Sequence, residues 1–468
     1  MKLSKRCALF SISMLFVVCF ATSSFGQAKD PEAAAAVTSG KPGYTSKAPV
    51  NAGSVAGIPI ADSSLTFDAV TGAVISGGLQ GNANLNTNAP AQTGNDDVFG
   101  GERRPNRPTI AGLDTVATFD GAFFAQAGPN SLGTRLFRFT MIGNEPQRGE
   151  TTVIPFWATP VSLQLLNADG STFKVVPFDP FQTLTLESPN FEPSNYRSGH
   201  GIQFGDAVHR AQFFHVMDKD WHTVLNPKIV DNVTIVVPRF VNVRLSDGSI
   251  IQARSYFTGT AADGHTFVLM LNLLFNFFFD NITVNEIING HFTTDALNAT
   301  LFPNTFLFSL NVNNPNTPGG CCVLGFHTYF FEPGAIPQPR WITQFSSWIS
   351  PGLFGAGFQD VTALSHETAE EFGDPFLDNA TPRWQFPGQP ANSHLCQSNL
   401  EEGDPIEVLS VASVPITIRE RHEVFIYHPQ IIPLLQWFEM GTTSNAIDGA
   451  FSFPDEGALP HSALPCPP

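Results

Sequence analysis

From about residue 111 onward, apolar segments of strand length alternate with turn formers, and this rhythm constrains the fold more than any other feature. Gly143-Asn144-Glu145-Pro146, Asn167-Ala168-Asp169-Gly170 and Ser246-Asp247-Gly248 each supply residues that favour tight turns. The chain holds 39 Gly and 37 Pro, and these punctuate a sequence rich in Phe (43) and poor in Tyr (5). Apolar segments cut this often predict short strands and long loops in place of a helical bundle. The expected fold class is therefore α+β and β-rich.

Strands are expected at 115–124, 134–142, 151–156, 162–166, 173–178, 233–237, 241–245, 250–256, 306–312 and 323–331. Residues 204–224 break the rhythm, with apolar side chains at helical spacing, and predict a helix. Helices are also expected at 346–349 and 360–372, the second stopped by Gly373 and Pro375. The most apolar run, 267–279, contains Asn272 and Asn276 and is too short to cross a bilayer, so it reads as a core strand or helix. Four regions result: 1–26, 27–110, 111–290 and 291–468. Residues 27–110 are poor in large apolar side chains and read as a weakly ordered leader or linker, with strand pairing expected only within 58–75. Residues 111–290 read as a β-rich domain, packed against a zincin-like α+β metal-site domain at 291–468.

The first region reads as a signal peptide. Lys2, Lys5 and Arg6 form a basic start, and residues 7–20 carry no charge. Ser24-Phe25-Gly26 offers small side chains where signal peptidase reads, so cleavage is expected after Gly26. Val18 before Cys19 does not fit a lipoprotein signal, and no stable membrane anchor is expected. The mature chain is then secreted, extracellular or periplasmic, where disulfides form. Losing Cys7 and Cys19 leaves Cys321, Cys322, Cys396 and Cys466 as disulfide candidates. Strain opposes a bond between neighbouring cysteines, so Cys321, Cys322 or both are expected to pair with Cys396 and Cys466. A net charge of -17 gives no electrostatic reason to bind nucleic acid, though it favours solubility and attracts cations.

The sharpest chemical feature is Ser365-His366-Glu367-Thr368-Ala369-Glu370-Glu371-Phe372-Gly373-Asp374-Pro375. On a helix, His366 and Glu370 share one face and can offer an imidazole nitrogen and a carboxylate oxygen to one metal ion. Glu367, about 100° around the helix, can stand beside a metal-bound water and take its proton as general base. This is the H-E-x-x-H arrangement of zincins with Glu in place of the second His. Zinc is the first expectation, since it lowers its water's pKa to about 7 and polarises a carbonyl. The added carboxylate also admits Mn or Ca. Gly373 falls where metzincins turn towards their third ligand, but Phe376 occupies that ligand position and cannot bind metal. Glu402, in Leu400-Glu401-Glu402-Gly403-Asp404, is the favoured third ligand, with Asp374, Asp404, His327 and His394 as further candidates.

The competing reading of the same motif is a solvated acidic helix with one satisfied His. Elsewhere, Asp206 and Arg210 are expected to form an intrahelical ion pair, and His209, His215 and His222 share no helical face that would suit a metal. Asn232, Asn281, Asn298 and Asn379 each begin an N-x-Thr sequon, relevant only in a glycosylating pathway.

Leu364-Ser365-His366-Glu367-x-x-Glu370, Asp374-Pro375 and Glu402-Gly403-Asp404 resemble the C-terminal region of exordium-like (phosphate-induced) secreted proteins. That family carries a Ser-His-Glu-x-x-Glu segment, a downstream acidic Gly/Ala-Asp segment and an upstream glycine-histidine element. Gly325-Phe326-His327 is similar to the last, while Pro405 stands where the family has Cys. Met141-Ile142-Gly143-Asn144-Glu145-Pro146, Gln203-Phe204-Gly205-Asp206-Ala207-Val208-His209-Arg210-Ala211 and Tyr427-His428-Pro429-Gln430 resemble uncharacterised secreted bacterial proteins. The resemblance implies secretion and a metallopeptidase-like site, and brings no assigned reaction. The leading expectation is a secreted, metal-dependent, peptidase-like hydrolase acting on an extracellular protein or cell-wall substrate. Its competitors are a non-catalytic extracellular or cell-wall protein that retains the helix, and a carbohydrate-binding β module.

Overall fold

The Phe-rich segments become the two faces of one sheet. The computed structural model describes residues 43–44, 50–51, 65–76, 116–126, 133–196, 201–332, 335, 338–355, 357–385, 396–406, 413–420, 423–441 and 451–456. The described residues form a β-rich α+β structure, 46% strand and 18% helix. The signal peptide expected at 1–26, and with it Cys7 and Cys19, lies outside the described residues, as do His394 and Cys466.

Eight strands form the spine of a mixed sheet: β1 (Thr151–Leu166), β2 (His222–Ile229), β3 (Tyr256–Thr260), β4 (Thr266–Leu271), β5 (Leu297–Pro303), β6 (Thr305–Leu310), β7 (Pro318–Phe331) and β8 (Arg340–Trp348). Their spatial order is β2-β1-β5-β8-β7-β6-β4-β3. From β2 to β8 the neighbours run parallel, β7 is antiparallel to both β8 and β6, and β3 is antiparallel to β4. Strands from both sides of residue 290 share this one layer: β5, β8, β7 and β6 lie between β1 on one side and β4 on the other. The helices named below are α1 (Asp179–Leu186), α2 (Phe204–Gln212), α3 (Asn272–Ile288) and α4 (Thr362–Gly373). Among the described residues, no helix is long and apolar enough to cross a membrane.

The period of two along a strand sends neighbouring side chains to opposite faces. On β7, Phe326 meets Phe275 and Phe279 of α3, and on β8 Phe345 meets Phe275. The intervening positions turn the other way: Gly325 abuts Glu367 of α4, His327 faces Glu370, and Gln344 bonds Glu371. Thus α3 covers a Phe-lined face and α4 covers the opposite face, which carries the polar groups. Burying a Phe side chain contributes roughly 1.5–3 kcal/mol, so the α3 face supplies much of the burial that offsets an interior rich in charge on the other.

Several expectations change. The run 267–279 divides: β4 ends at Leu271 and α3 begins at Asn272. The strands expected at 151–156 and 162–166 are one strand, because β1 is paired along its first part with β2 and β5 and along its second with Val233–Val237. Residues 346–349 are not helical: Ser346–Trp348 continue β8, whose register with β5 holds them extended. The helix expected over 204–224 stops at Gln212, because Asp206 accepts hydrogen bonds from the Thr223 amide (2.9 Å) and His222 Nδ1 (2.7 Å), folding β2 back on α2. The Asp206–Arg210 pair is therefore replaced. Arg210 donates to the carbonyls of Trp221 and Lys219. The strand pairing expected within 58–75 is found, between Thr66–Asp68 and Val74–Ser76, but the segment also joins the core: Leu65 and Phe67 are fully buried, and Thr66–Asp68 runs parallel to Phe240–Arg244.

The disulfide expectation is corrected as well. Cys321 and Cys322 are bonded to each other on β7, so neither is left to pair with a distant cysteine. Three sequon asparagines, Asn281, Asn298 and Asn379, are buried, and each donates from its amide to backbone carbonyls.

One buried group of α2 sets a pH dependence. His209 lies among the rings of Phe119, Phe213, Trp221 and Phe372, and neither ring nitrogen has a hydrogen-bond partner. Burial pushes its pKa down from 6.5 to about 3. The unfolded chain takes up a proton that the folded chain refuses, so this contribution is complete above pH 6.5 and is lost as pH falls towards about 3. Each unit crossed removes up to about 1.4 kcal/mol. His209→Phe is expected to stabilise the fold by about 1 kcal/mol at neutral pH, since an unsatisfied buried polar group is costly. It is also expected to flatten the acid limb in urea unfolding. A wild-type stability curve already flat across that window would contradict the assignment.

Candidate metal centre

Helix α4 carries charge into the interior. All of its residues are buried, and His366, Glu367, Glu370 and Glu371 have 0% exposure. The solvated acidic helix is thereby excluded. Local chemistry holds its start: Ser365 Oγ donates to the Thr362 carbonyl and accepts from the Gln430 amide (2.8 Å), fixing the helix against the C-terminal segment. Its apolar side places Leu364 and Phe372 in a core with Phe156, Leu301 and Phe376. The helix ends as expected at Gly373, where the Asp374 amide donates to the Glu370 carbonyl (2.6 Å). Gly373 is not left-handed, however. The lack of a side chain there leaves room for the Glu402 carboxylate, which a Cβ would overlap.

The motif residues converge with two outside groups. His366 Nε2 lies 3.1 Å from Glu370 Oε1 and 3.4 Å from Asp404 Oδ1. From β7, His327 Nδ1 lies 3.2 Å from Glu370 Oε2 and 3.6 Å from Glu367 Oε2. Ligand atoms of His366, Glu367 and Glu370 all lie within 4.8 Å of one another, and so do those of His327, Glu370 and Glu401. These buried clusters have the composition and spacing to hold a metal ion. Neither oxygen of Glu367 has a hydrogen-bond partner.

Backbone crowds the cluster closely. A Cβ at Gly325 would strike Glu367, and one at Gly403 would strike the His366 ring. The Gly403 amide also donates to Glu370 Oε1 (3.2 Å), and its carbonyl accepts from Gln430 Nε2 (3.3 Å). Three further carboxylates are tied to amides around the rim. Gln344 Nε2 donates to Glu371 (2.7 Å), Gln212 Nε2 donates to Glu402 (3.1 Å), and the Asp378 and Asn379 amides donate to Asp374 (2.9 and 3.0 Å).

The electrostatics follow from burial. Glu367, Glu370, Glu371, Asp374, Glu401, Glu402 and Asp404 are all buried beside His327 and His366. Burial raises the pKa of Glu367, pushes Glu371 up to about 8, and lifts Asp374 and Glu402 well above the carboxylate range. Burial also opposes ionisation of Glu370, but the neighbouring His366 and His327 rings outweigh it and draw its pKa down. Burial would lower both imidazoles, yet the carboxylates around them raise both well above 6.5. The site draws positive charge strongly, as protons or as a cation.

Of the residues expected from sequence, His366, Glu367, Glu370, Asp404 and His327 meet. Glu402 is in neither triad and instead bonds Gln212, while Asp374 accepts amides at the helix end. The sequence reading missed the supporting Gln212, Gln344 and Gln430 and the close-approach role of Gly325 and Gly403. The signal available for the glycines was Gly325-x-His327 on one strand face and Gly403 between two acidic residues; the glutamines carry none. A separate triad, Asp231, Glu286 and His291, lies partly exposed at the end of α3, with Glu286 Oε2 2.9 Å from His291 Nδ1. Comparison of the chain with protein-family models, curated proteins and solved structures finds no match.

Proposed function

We propose that this chain is an exported, metal-dependent hydrolase with peptidase-like chemistry. The observation that carries the reading is the convergence of His366, Glu370 and Asp404 beside Glu367, a carboxylate with no hydrogen-bond donor of its own. His366, Glu370 and Asp404 serve as ligands, and Asp404 takes the place first given to Glu402. Zinc accepts such nitrogen and oxygen donors at about 2.0–2.2 Å, while the surplus of carboxylate over imidazole also suits Mn or Ca. A bound ion would acidify a water there, and Glu367 is the group placed to take its proton. Export is supported by the basic, apolar and small-residue order of residues 1–26 and by the bonded Cys321–Cys322 pair. The substrate is an extracellular protein or cell-wall polymer. A surface cavity of about 510 Å³ is lined by Phe119, Phe213, Gln212 and Gln436 among others, and Gln212 also donates to Glu402.

The complete burial of His366, Glu367 and Glu370 favours a second reading, an exported protein whose metal joins α4, β7 and the 401–406 segment without catalysis. The purified chain is expected to carry stoichiometric divalent metal. Chelation is expected to lower its melting temperature, because an ion held at a thousandfold excess over its Kd stabilises by about 4 kcal/mol. Metal content and thermal unfolding are measured together, with hydrolysis of labelled casein and of peptidoglycan. Absence of metal sinks both readings; bound metal without hydrolysis leaves the second.

A further inference from the structure

We infer that the buried cluster is built for two divalent cations bridged by Glu370, an inference that rests on the metal-centre proposal above and extends it. The two oxygens of Glu370 are divided between two imidazoles on different elements. Oε1 lies 3.1 Å from His366 Nε2 on α4, and Oε2 lies 3.2 Å from His327 Nδ1 on β7. Each imidazole anchors its own triad, and Glu370 is the member common to both. Bridging by one carboxylate suits ions about 3.5–4 Å apart, as in two-metal hydrolytic sites.

His327 provides the independent observation. It is fully buried, and its Nδ1 lies 3.2 Å from Glu370 Oε2 without meeting hydrogen-bond geometry. A cation seated between Nδ1 and the carboxylates of Glu370 and Glu401 would engage both the ring and the acids. Glu367, Glu370, Glu401 and Asp404 are all buried beside the two imidazoles. The first position takes His366, Asp404 and Glu370 Oε1; the second takes His327, Glu401 and Glu370 Oε2. Glu367 belongs to the first triad and its Oε2 also lies 3.6 Å from His327 Nδ1, so it stands between the two groups of ligands and would be the base for a water bound there.

The test uses the full chain, stripped with chelator, reloaded with Mn²⁺ alone and desalted. Elemental analysis is expected to give two ions per chain, and low-temperature EPR the signal of a spin-coupled pair. His327→Gln is expected to reduce binding to one ion with an uncoupled six-line spectrum, and Glu401→Gln to weaken the same position. One ion per wild-type chain, or two ions without coupling, overturns the binuclear inference and leaves the single-metal proposal standing. A wild-type chain that binds none overturns both. The wild-type measurements decide the matter even if a variant fails to fold.

Discussion

Gly403→Ala is expected to abolish metal binding. The added methyl would overlap the His366 ring, and the backbone has nowhere to retreat: the Gly403 amide is bonded to Glu370 Oε1 and its carbonyl to Gln430. His366 must then leave its position between Glu370 and Asp404, or the 401–406 segment must lift away. Overpacking of this kind costs about 1–3 kcal/mol in stability, but the larger loss is at the centre, where a displacement of a fraction of an ångström misplaces a ligand. Gly355→Ala is the control, because open space surrounds its position. Elemental analysis and thermal unfolding of both variants are the measurements. Wild-type metal content in Gly403→Ala would show that the cluster is not the site.

Glu367→Gln is expected to keep the metal and lower the hydrolytic rate by about 10²–10⁴, the range for loss of a general base. The amide preserves the shape that fits against Gly325 and removes only the ability to take a proton. Metal content should be unchanged and the loss should fall on kcat, since a group acting in the transition state contributes little to ground-state binding. A variant within tenfold of wild-type activity would remove Glu367 from the chemistry. One with no metal at all would instead make Glu367 an essential ligand.

How much of this was legible beforehand differs by element. The long alternations read correctly as strands, and α4 was legible because apolar spacing, Gly373 and Pro375 agreed over a whole helix. The 346–349 segment misled because four residues are too few to establish a period, and strand pairing with β5 settled them. The run 267–279 was equally apolar in its strand and helix halves, so periodicity could not place the change at Asn272. The cysteines misled because general geometry disfavours neighbours, whereas the chain brings Cys321 to Cys322 on β7.

The centre divides in the same way. By itself the sequence determined the local half of it: the i,i+4 relation of His366 and Glu370 and the adjacency of Glu367 follow from helical geometry alone. Only the tertiary structure decided the rest. Whether Glu402 or Asp404 faces His366 depends on how residues 401–406 cross the end of α4, a matter of side-chain direction that spacing in sequence does not carry. His327 joins because β7 turns alternate residues towards α4, some forty residues away in the chain. Burial of the whole cluster was likewise invisible in sequence, because charged residues are normally exposed, and only packing of α4 against the sheet reverses that expectation.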